Sequence, residues 1–277
     1  MVRFDAYSAT SDAAKMDDLL QVLCDSNGLS SVLNIRKSRG FHTFGERLSV
    51  RDESGSEWAA VMWGGKQGKR VMLEVKGERT PAAVAELRKR YEHRCTRVDA
   101  CVDFDSPRAF ERLYRACRQV KKAHRIWGDK RGDWEDHPEK GRTLYLGASS
   151  SATRLRLYEK GKQPEYAHLN RPHWARIEIQ VRPQKQAREA FSRLGPVEVW
   201  GSSRWSRELA AYVLKEHVEP HPAGTTYRLT QRQRALTWMV KQYGEHLAAE
   251  AADLGGWDHL GGSLLAIYSD VKGGRDD

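Results

Sequence analysis

Four short runs in this chain alternate apolar and charged side chains with a period of two, a pattern that suits β-strands and not helices. In Arg97–Phe104, one side carries Val98, Ala100, Val102 and Phe104, and the other Arg97, Asp99, Cys101 and Asp103. In Arg176–Val181, Ile177, Ile179 and Val181 oppose Arg176, Glu178 and Gln180. Val71–Val75 sets Glu74 against Val71, Leu73 and Val75, and Arg154–Lys160 sets Arg156, Tyr158 and Lys160 against its leucines. Such strands bury one face and leave the other polar, which points to an antiparallel sheet covered on one side.

The segments between these runs supply the rest of the expected order. Runs at 57–63 and 70–76 flank Gly64-Gly65-Lys66-Gln67-Gly68-Lys69, predicting a hairpin with a glycine-rich, basic loop. Pro81 opens a predicted helix over 82–92, and Ser106-Pro107 stands as N-cap and first residue of another, from Arg108 to about His124. Residues 127–142 read as an exposed loop, followed by strands at 143–147, 153–160 and 175–182. Helical patterns cover 184–193, 204–217 and, after Thr230 as N-cap, 231–252, while glycines at 255, 256, 261 and 262 loosen the tail. Residues 1–60 alternate only weakly, with turn signals at Ser26-Asn27-Gly28 and Ser38-Arg39-Gly40, and no internal repeat is present. The expectation is an α+β fold with a central antiparallel sheet, flanking helices and a helical C-terminal segment. Residues 1–225 would form one domain and 226–277 an extension.

Forty-seven Lys and Arg against thirty-seven Asp and Glu leave a formal charge of +10, which favours a polyanionic partner because phosphate contacts release condensed counterions. The four cysteines, Cys24, Cys95, Cys101 and Cys117, form no CxxC pair and sit at no zinc-finger spacing, so free thiols are expected. The N-terminus has no apolar signal region and no stretch has the length of a membrane span, so the chain reads as cytoplasmic and reduced.

If the four strands are sheet neighbours, Glu74, Asp99, Asp103 and Glu178 could converge. Clustered carboxylates repel unless a cation compensates them, and all-oxygen ligation suits Mg²⁺ or Mn²⁺. Periodicity alone also permits an ordinary solvated face with Arg–Glu pairs across strands. Tyr158 is open in the same way: it is a packing residue, or a nucleophile whose phenol, with an ordinary pKa near ~10, needs the nearby charge of Arg156 and Lys160.

The runs Thr96–Phe104, Thr143-Leu144-Tyr145-Leu146-Gly147, Arg154–Lys160 and Arg176–Ile179 together resemble the replication initiation factor family, the initiators of certain rolling-circle plasmids and filamentous phages. The resemblance spans roughly residues 70–215 and implies a fold related to the HUH nucleases. It implies that Tyr158 is the nicking nucleophile, with Arg156 and Lys160 contacting phosphate, and that Asp99, Asp103 and Glu178 belong to a metal site, with Glu74 in a less distinctive matching segment. No His-apolar-His run is present; His217-Val218-Glu219-Pro220-His221 has the wrong spacing and reads as a helix end, so the metal would rest on carboxylates. The loop Ala148-Ser149-Ser150-Ser151 departs from the family in lacking a cation, leaving phosphate contacts there to backbone N–H groups or hydroxyls.

The implied activity is metal-dependent nicking and rejoining of single-stranded or hairpin origin DNA through a 5′-phosphotyrosyl intermediate. The implied partners are a host helicase and polymerase, with a second copy of the chain as a further one. Two alternatives stay open: a metal-dependent nuclease that uses water, and a non-catalytic origin- or RNA-binding protein. Tyr145 would be a second tyrosine near the site or a packing residue. Trp127, Trp134, Trp200 and Trp205 are available to stack on bases, and the basic stretches Arg108–Arg125 and Arg228–Arg234 to meet a duplex.

Overall fold

The computed structural model describes residues 1–28, 33–224 and 231–273. Its backbone divides into two compact units, Met1–Thr226 and Tyr227–Asp277. Thr230 and Arg228, named above as a cap and as the start of a basic stretch, lie outside the described residues.

The first unit is built on ten strands: β1 (Arg3–Ser11), β2 (Asn34–Arg39), β3 (Glu46–Arg51), β4 (Glu57–Trp63), β5 (Val71–Lys76), β6 (Arg94–Asp105), β7 (Gly128–Arg131), β8 (Thr143–Leu146), β9 (Thr153–Tyr158) and β10 (Trp174–Val181). They form one sheet in the order β2-β3-β4-β5-β1-β6-β10-β9-β8-β7, and every pairing is antiparallel. Five helices accompany it: α1 (Met16–Ser26), α2 (Thr80–Arg90), α3 (Ala109–Ala123), α4 (Ala187–Phe191) and α5 (Arg204–Val213). This is the large antiparallel sheet with flanking helices that the alternating runs require.

The weakly patterned N-terminus holds the main departure from expectation. β1 runs through the middle of the sheet, between β5 and β6, and α1 follows it. The pairing of β1 with β6 slips between Phe4 and Ala6, and this bulge breaks the alternation that would have marked the strand. The expected loop at 127–142 contains the short edge strand β7. Ser106 does not cap α3; its hydroxyl accepts from Arg112 Nη2 at 2.7 Å, and Arg108 takes the left-handed conformation just ahead of the helix.

One face of the sheet is dry. Ile177, Ile179 and Val181 of β10, Leu155 and Leu157 of β9, and Val98 and Ala100 of β6 are fully buried. They join one core with Leu19 and Val22 of α1, Val84 and Leu87 of α2, Leu113 and Val120 of α3, Phe191 of α4 and Leu209 of α5. Each fully buried aliphatic chain contributes about 1.5–3 kcal/mol relative to exposure, so this face fixes the strand register. Because all five helices place their apolar stripes in that core, the polar residues of β6, β9 and β10 lie together on the other side. Cys95, Cys101 and Cys117 are buried and Cys24 is half-buried, all as free thiols.

In the second unit, α6 (Gln231–Asp253) is followed by α7 (Leu260–Gly273). The sequence reading missed α7, since its glycines suggested a loose tail; Ser263 Oγ donates to Glu250 Oε1 at 2.8 Å to tie the two helices. Among the described residues no helix is long and apolar enough to cross a membrane.

Candidate active site

Strand register decides which polar side chains meet. Asp99 pairs with Gln180, Cys101 with Glu178, and Asp103 with Arg176. Across the next ladder, Glu178 faces Arg156 and Arg176 faces Tyr158. Asp99 and Glu178 are therefore diagonal neighbours on one face, a separation of roughly 7–8 Å between backbones. Tyr158 stands one residue pair further along.

Arg156 joins the tyrosine to the acid. Its guanidinium carbon sits 3.9 Å from the centre of the Tyr158 ring, and its Nε lies 3.5 Å from Glu178 Oε1. Burial raises the Glu178 carboxyl to about 7; Arg156 opposes the shift, and the charges of Asp99 and Asp5 add to it. Burial, followed by the Glu178 carboxylate, also pushes the Tyr158 hydroxyl well above its usual value, against the pull of Arg156 and Arg176.

The four carboxylates do not form one cluster. Asp103 is occupied: Arg176 donates to it through Nε and Nη2 at 2.7 and 2.8 Å, Trp174 Nε1 at 2.8 Å and Arg3 Nη1 at 2.8 Å. Burial disfavours its charge, but Arg176, Trp174 and Arg3 outweigh that and hold the carboxyl down to about 2. Glu74 faces Ser8 of β1, and Ser8 faces Arg97 of β6. The whole of β1 therefore separates Glu74 from Asp99, a gap of about 10 Å at ordinary strand spacing. Burial raises the Glu74 carboxyl too, and it lines a small cleft of about 180 Å³ with Ser8 and Arg97. Among the described residues no group of three or more His, Cys, Asp or Glu side chains is placed to hold a metal ion. Of the four carboxylates, Asp99 and Asp103 both lie diagonal to Glu178, Asp103 held in the arginine cluster, while Glu74 stands apart across β1.

One further correction concerns a cation. Lys160 does not continue the face of β9: the strand ends at Tyr158, and Lys160 enters a short 3-10 turn where its ammonium lies 4.3 Å from the Tyr166 ring and 4.7 Å from Trp174. Burial, then the charge of Arg176, lowers its pKa. Asp99 is gripped by Arg97, whose Nε donates to Oδ1 at 2.9 Å while Nη2 bonds the second oxygen. Tyr145 lies opposite Arg156 in the β8–β9 ladder, with the Arg154 guanidinium 4.0 Å from its ring centre.

Sequence reasoning missed Asp5. The β1 bulge places it beside Arg176, whose Nη1 donates to Oδ1 at 2.7 Å, and within 3.6 Å of the Cys101 thiol. The alternation Arg3-Phe4-Asp5 was the available signal, since Arg3 and Asp5 both reach this face and Phe4 is buried. Glu159 was passed over as well: it is buried and holds Arg142 through Nε at 2.9 Å and the backbone N–H at 2.9 Å, pinning the chain directly after Tyr158. Arg182 donates to the Ser149 carbonyl of the Ala148–Ser151 loop at 2.9 Å.

The Glu178 carboxyl binds its proton more tightly in the fold than in the unfolded chain. Its contribution to stability is therefore complete below about pH 4 and declines as pH rises through about 7. Glu178→Gln should abolish that decline. Urea unfolding of the two proteins should diverge in the variant's favour by on the order of 2–3 kcal/mol between pH 4 and pH 8; parallel profiles would refute the assignment.

A family model described as replication initiation factor matches residues 93–242, a span that includes β6, β9 and β10 with the residues about Tyr158 except Arg3 and Asp5 of β1. Among solved structures, the chain is similar to a rolling circle replication initiator protein from Geobacillus stearothermophilus, at 19% identity and a TM-score of 0.47, covering 73% of this chain and 83% of that one. No curated protein sequence matches the chain.

Proposed function

Since the chain belongs to the replication initiation factor family, we propose that it starts rolling-circle replication by nicking, and later rejoining, origin DNA with Tyr158. The observation that carries this reading is the contact chain Tyr158–Arg156–Glu178, a phenol and a buried acid bridged by one guanidinium. A tyrosine retained only for packing has no need of a charged pair on a sheet face that lies away from the apolar core.

In the proposed reaction the Tyr158 oxygen attacks the scissile phosphorus. The P–O3′ bond breaks as the Oη–P bond forms, the phenolic proton leaves to water, and the released 3′-oxygen takes up a proton. The product is a 5′-phosphotyrosyl link and a 3′-hydroxyl available for extension, with the bond stored for rejoining. Arg156 offsets charge on the phenolate and on the non-bridging phosphate oxygens. Its guanidinium is partly exposed and can turn from Glu178 to a phosphate, which it would bind through two donors.

A divalent ion would be held by Glu178, and by Asp99 once Arg97 turns away from its two oxygens. Glu178 is a buried carboxylate facing two other acids with one cation 3.5 Å away, and hard ions are commonly held by one or two carboxylates together with substrate phosphate. When bound, Mg²⁺ or Mn²⁺ would supply charge for the transferring phosphoryl group. Asp103 and Glu74 take no part: Asp103 instead anchors Arg176, and Glu74 lies across β1. The raised phenol favours one rival, in which water attacks in place of Tyr158.

The test is incubation with 5′- and 3′-labelled single-stranded origin DNA and Mn²⁺, followed by a denaturing gel. A DNA band retarded by a protease-sensitive mass of the chain, 31.6 kDa, is expected on the fragment 3′ of the nick. Cleaved DNA with no attached protein would favour hydrolysis by water. Binding without strand breakage under any metal would favour a non-catalytic protein.

A further inference from the structure

On the helix-bearing side of the sheet, α3 and the edge strand β7 wall a cleft of about 710 Å³. Arg115, Arg118, Lys121, Lys122, Arg125 and Lys130 line it, and no Asp or Glu does. None of these six cations is ion-paired among the described residues. The pattern arises from helix geometry: Leu113, Cys117 and Val120 hold α3 in the core, which turns Arg115, Arg118 and Lys122 outward on the opposite stripe. Six like charges about one concavity repel each other unless a polyanion enters.

One aromatic ring, Tyr114, lines the cleft, in contact with Trp134 and Phe110. The ring centres of Tyr114 and Trp134 are 5.0 Å apart, and Phe110 stacks on Tyr114 at 6.2 Å with nearly parallel planes. The Lys130 ammonium sits 4.4 Å from the Trp134 ring, and the Arg118 guanidinium 5.8 Å from Tyr114. A positive groove that tracks a backbone beside aromatic faces that accept bases is the chemistry of single-strand binding. Gly128 and Leu144 also line the cleft.

We propose that the α3–β7 cleft binds the phosphate backbone of single-stranded DNA, as a site separate from the Tyr158 centre. β9, which carries Tyr158, is third from the β7 edge. A strand leaving the nicking site therefore crosses about 10 Å of sheet before turning over that edge into the cleft. The identity of the polymer rests on the nicking reading, but the test needs neither metal nor cleavage, so the two can fail separately.

The probe is fluorescent oligothymidylate of about 30 nucleotides, longer than the roughly 4–16 nucleotides that single-strand binding folds occupy. Its anisotropy is followed across a salt series with the full chain and with Arg115→Ala/Arg118→Ala/Lys122→Ala, both checked for equal melting by circular dichroism. The triple variant should bind at least about tenfold more weakly at 0.1 M salt, with a log–log salt slope shallower by about 2, the value expected for three lost phosphate contacts. A charge-matched variant at the opposite sheet edge, Arg36→Ala/Lys37→Ala/Arg39→Ala on β2, controls for net charge. Unchanged affinity and slope in the α3 variant would overturn the proposal, as would an equal loss in the β2 variant. A loss confined to a blunt duplex of the same length would also overturn it, reassigning the cleft to double-stranded DNA.

Discussion

Tyr158→Phe is expected to abolish the covalent protein–DNA adduct and to lower nicking by at least about 10³-fold, in line with removal of a covalent nucleophile elsewhere. The same variant should keep its fold. The ring is 5% exposed and stays in place, and only a hydroxyl beside Arg156 is lost, so stability should change by about 1 kcal/mol or less. That separation of effects matters, because replacing a tyrosine that serves only packing would cost neither nicking nor the adduct. Single-turnover nicking on a denaturing gel, with a melting curve of the same preparation, gives both quantities. Nicking at the wild-type rate would remove Tyr158 from the chemistry and leave Asp99 and Glu178 as the parts of a hydrolytic nuclease.

The second large effect is structural. Arg176 has a side chain only 3% exposed, and it holds Asp103 by two hydrogen bonds and Asp5 by a third, joining β1, β6 and β10 under the site. Arg176→Met would leave two carboxylates with less compensation, and removing one partner of a buried ionic group costs about 3–5 kcal/mol. For a domain of this size that lowers the melting temperature by roughly 10 °C. The pH dependence should change with it. The depressed Asp103 carboxyl adds stability that is present above about pH 4 and lost as pH falls towards about 2, so the variant should show a weaker acid transition in that window. A double variant, Arg176→Met/Asp103→Leu, should recover part of the loss; a strictly additive result would mean that the two residues do not act as a pair.

Legibility of the fold in the sequence followed one physical rule. Where a strand is apolar on one face and polar on the other, as in β6, β9 and β10, alternation marks both its existence and its faces, and the residues named from it do share a face. Where a bulge interrupts the period, as at Asp5, only the short alternation Arg3-Phe4-Asp5 marks the strand, too little to single it out although β1 is central to the sheet. Sequence periodicity also gives faces without neighbours. Glu74 was assigned to the polar side of its strand, but the unforeseen β1 stands between it and Asp99. Asp103 looked like a ligand until the pairing with Arg176 and the reach of Arg3, a hundred residues away in the chain, made it the anchor of an arginine cluster. Lys160 was placed by extending the period of β9 two residues past the point where the chain turns.

The proposed reading rests on a smaller set of residues than the resemblance implies: Tyr158, Arg156, Glu178 and Asp99 would carry the chemistry. Asp5, Asp103, Arg3, Arg176 and Trp174 form a charged floor that fixes three strands beneath it, and Arg142 with Glu159 fixes the chain just beyond the nucleophile. This division predicts which substitutions alter chemistry and which alter folding.

The central claim is that DNA becomes bonded to one side chain. Trapping the adduct with Mn²⁺ on labelled single-stranded origin DNA, digesting with nuclease and trypsin, and sequencing the modified peptide by mass spectrometry would locate that bond. The nucleotide remnant should map to the Tyr158 oxygen, on the peptide Leu157-Tyr158-Glu159-Lys160. A remnant on Tyr145 or another residue, or cleaved DNA with no modified peptide, would contradict the account.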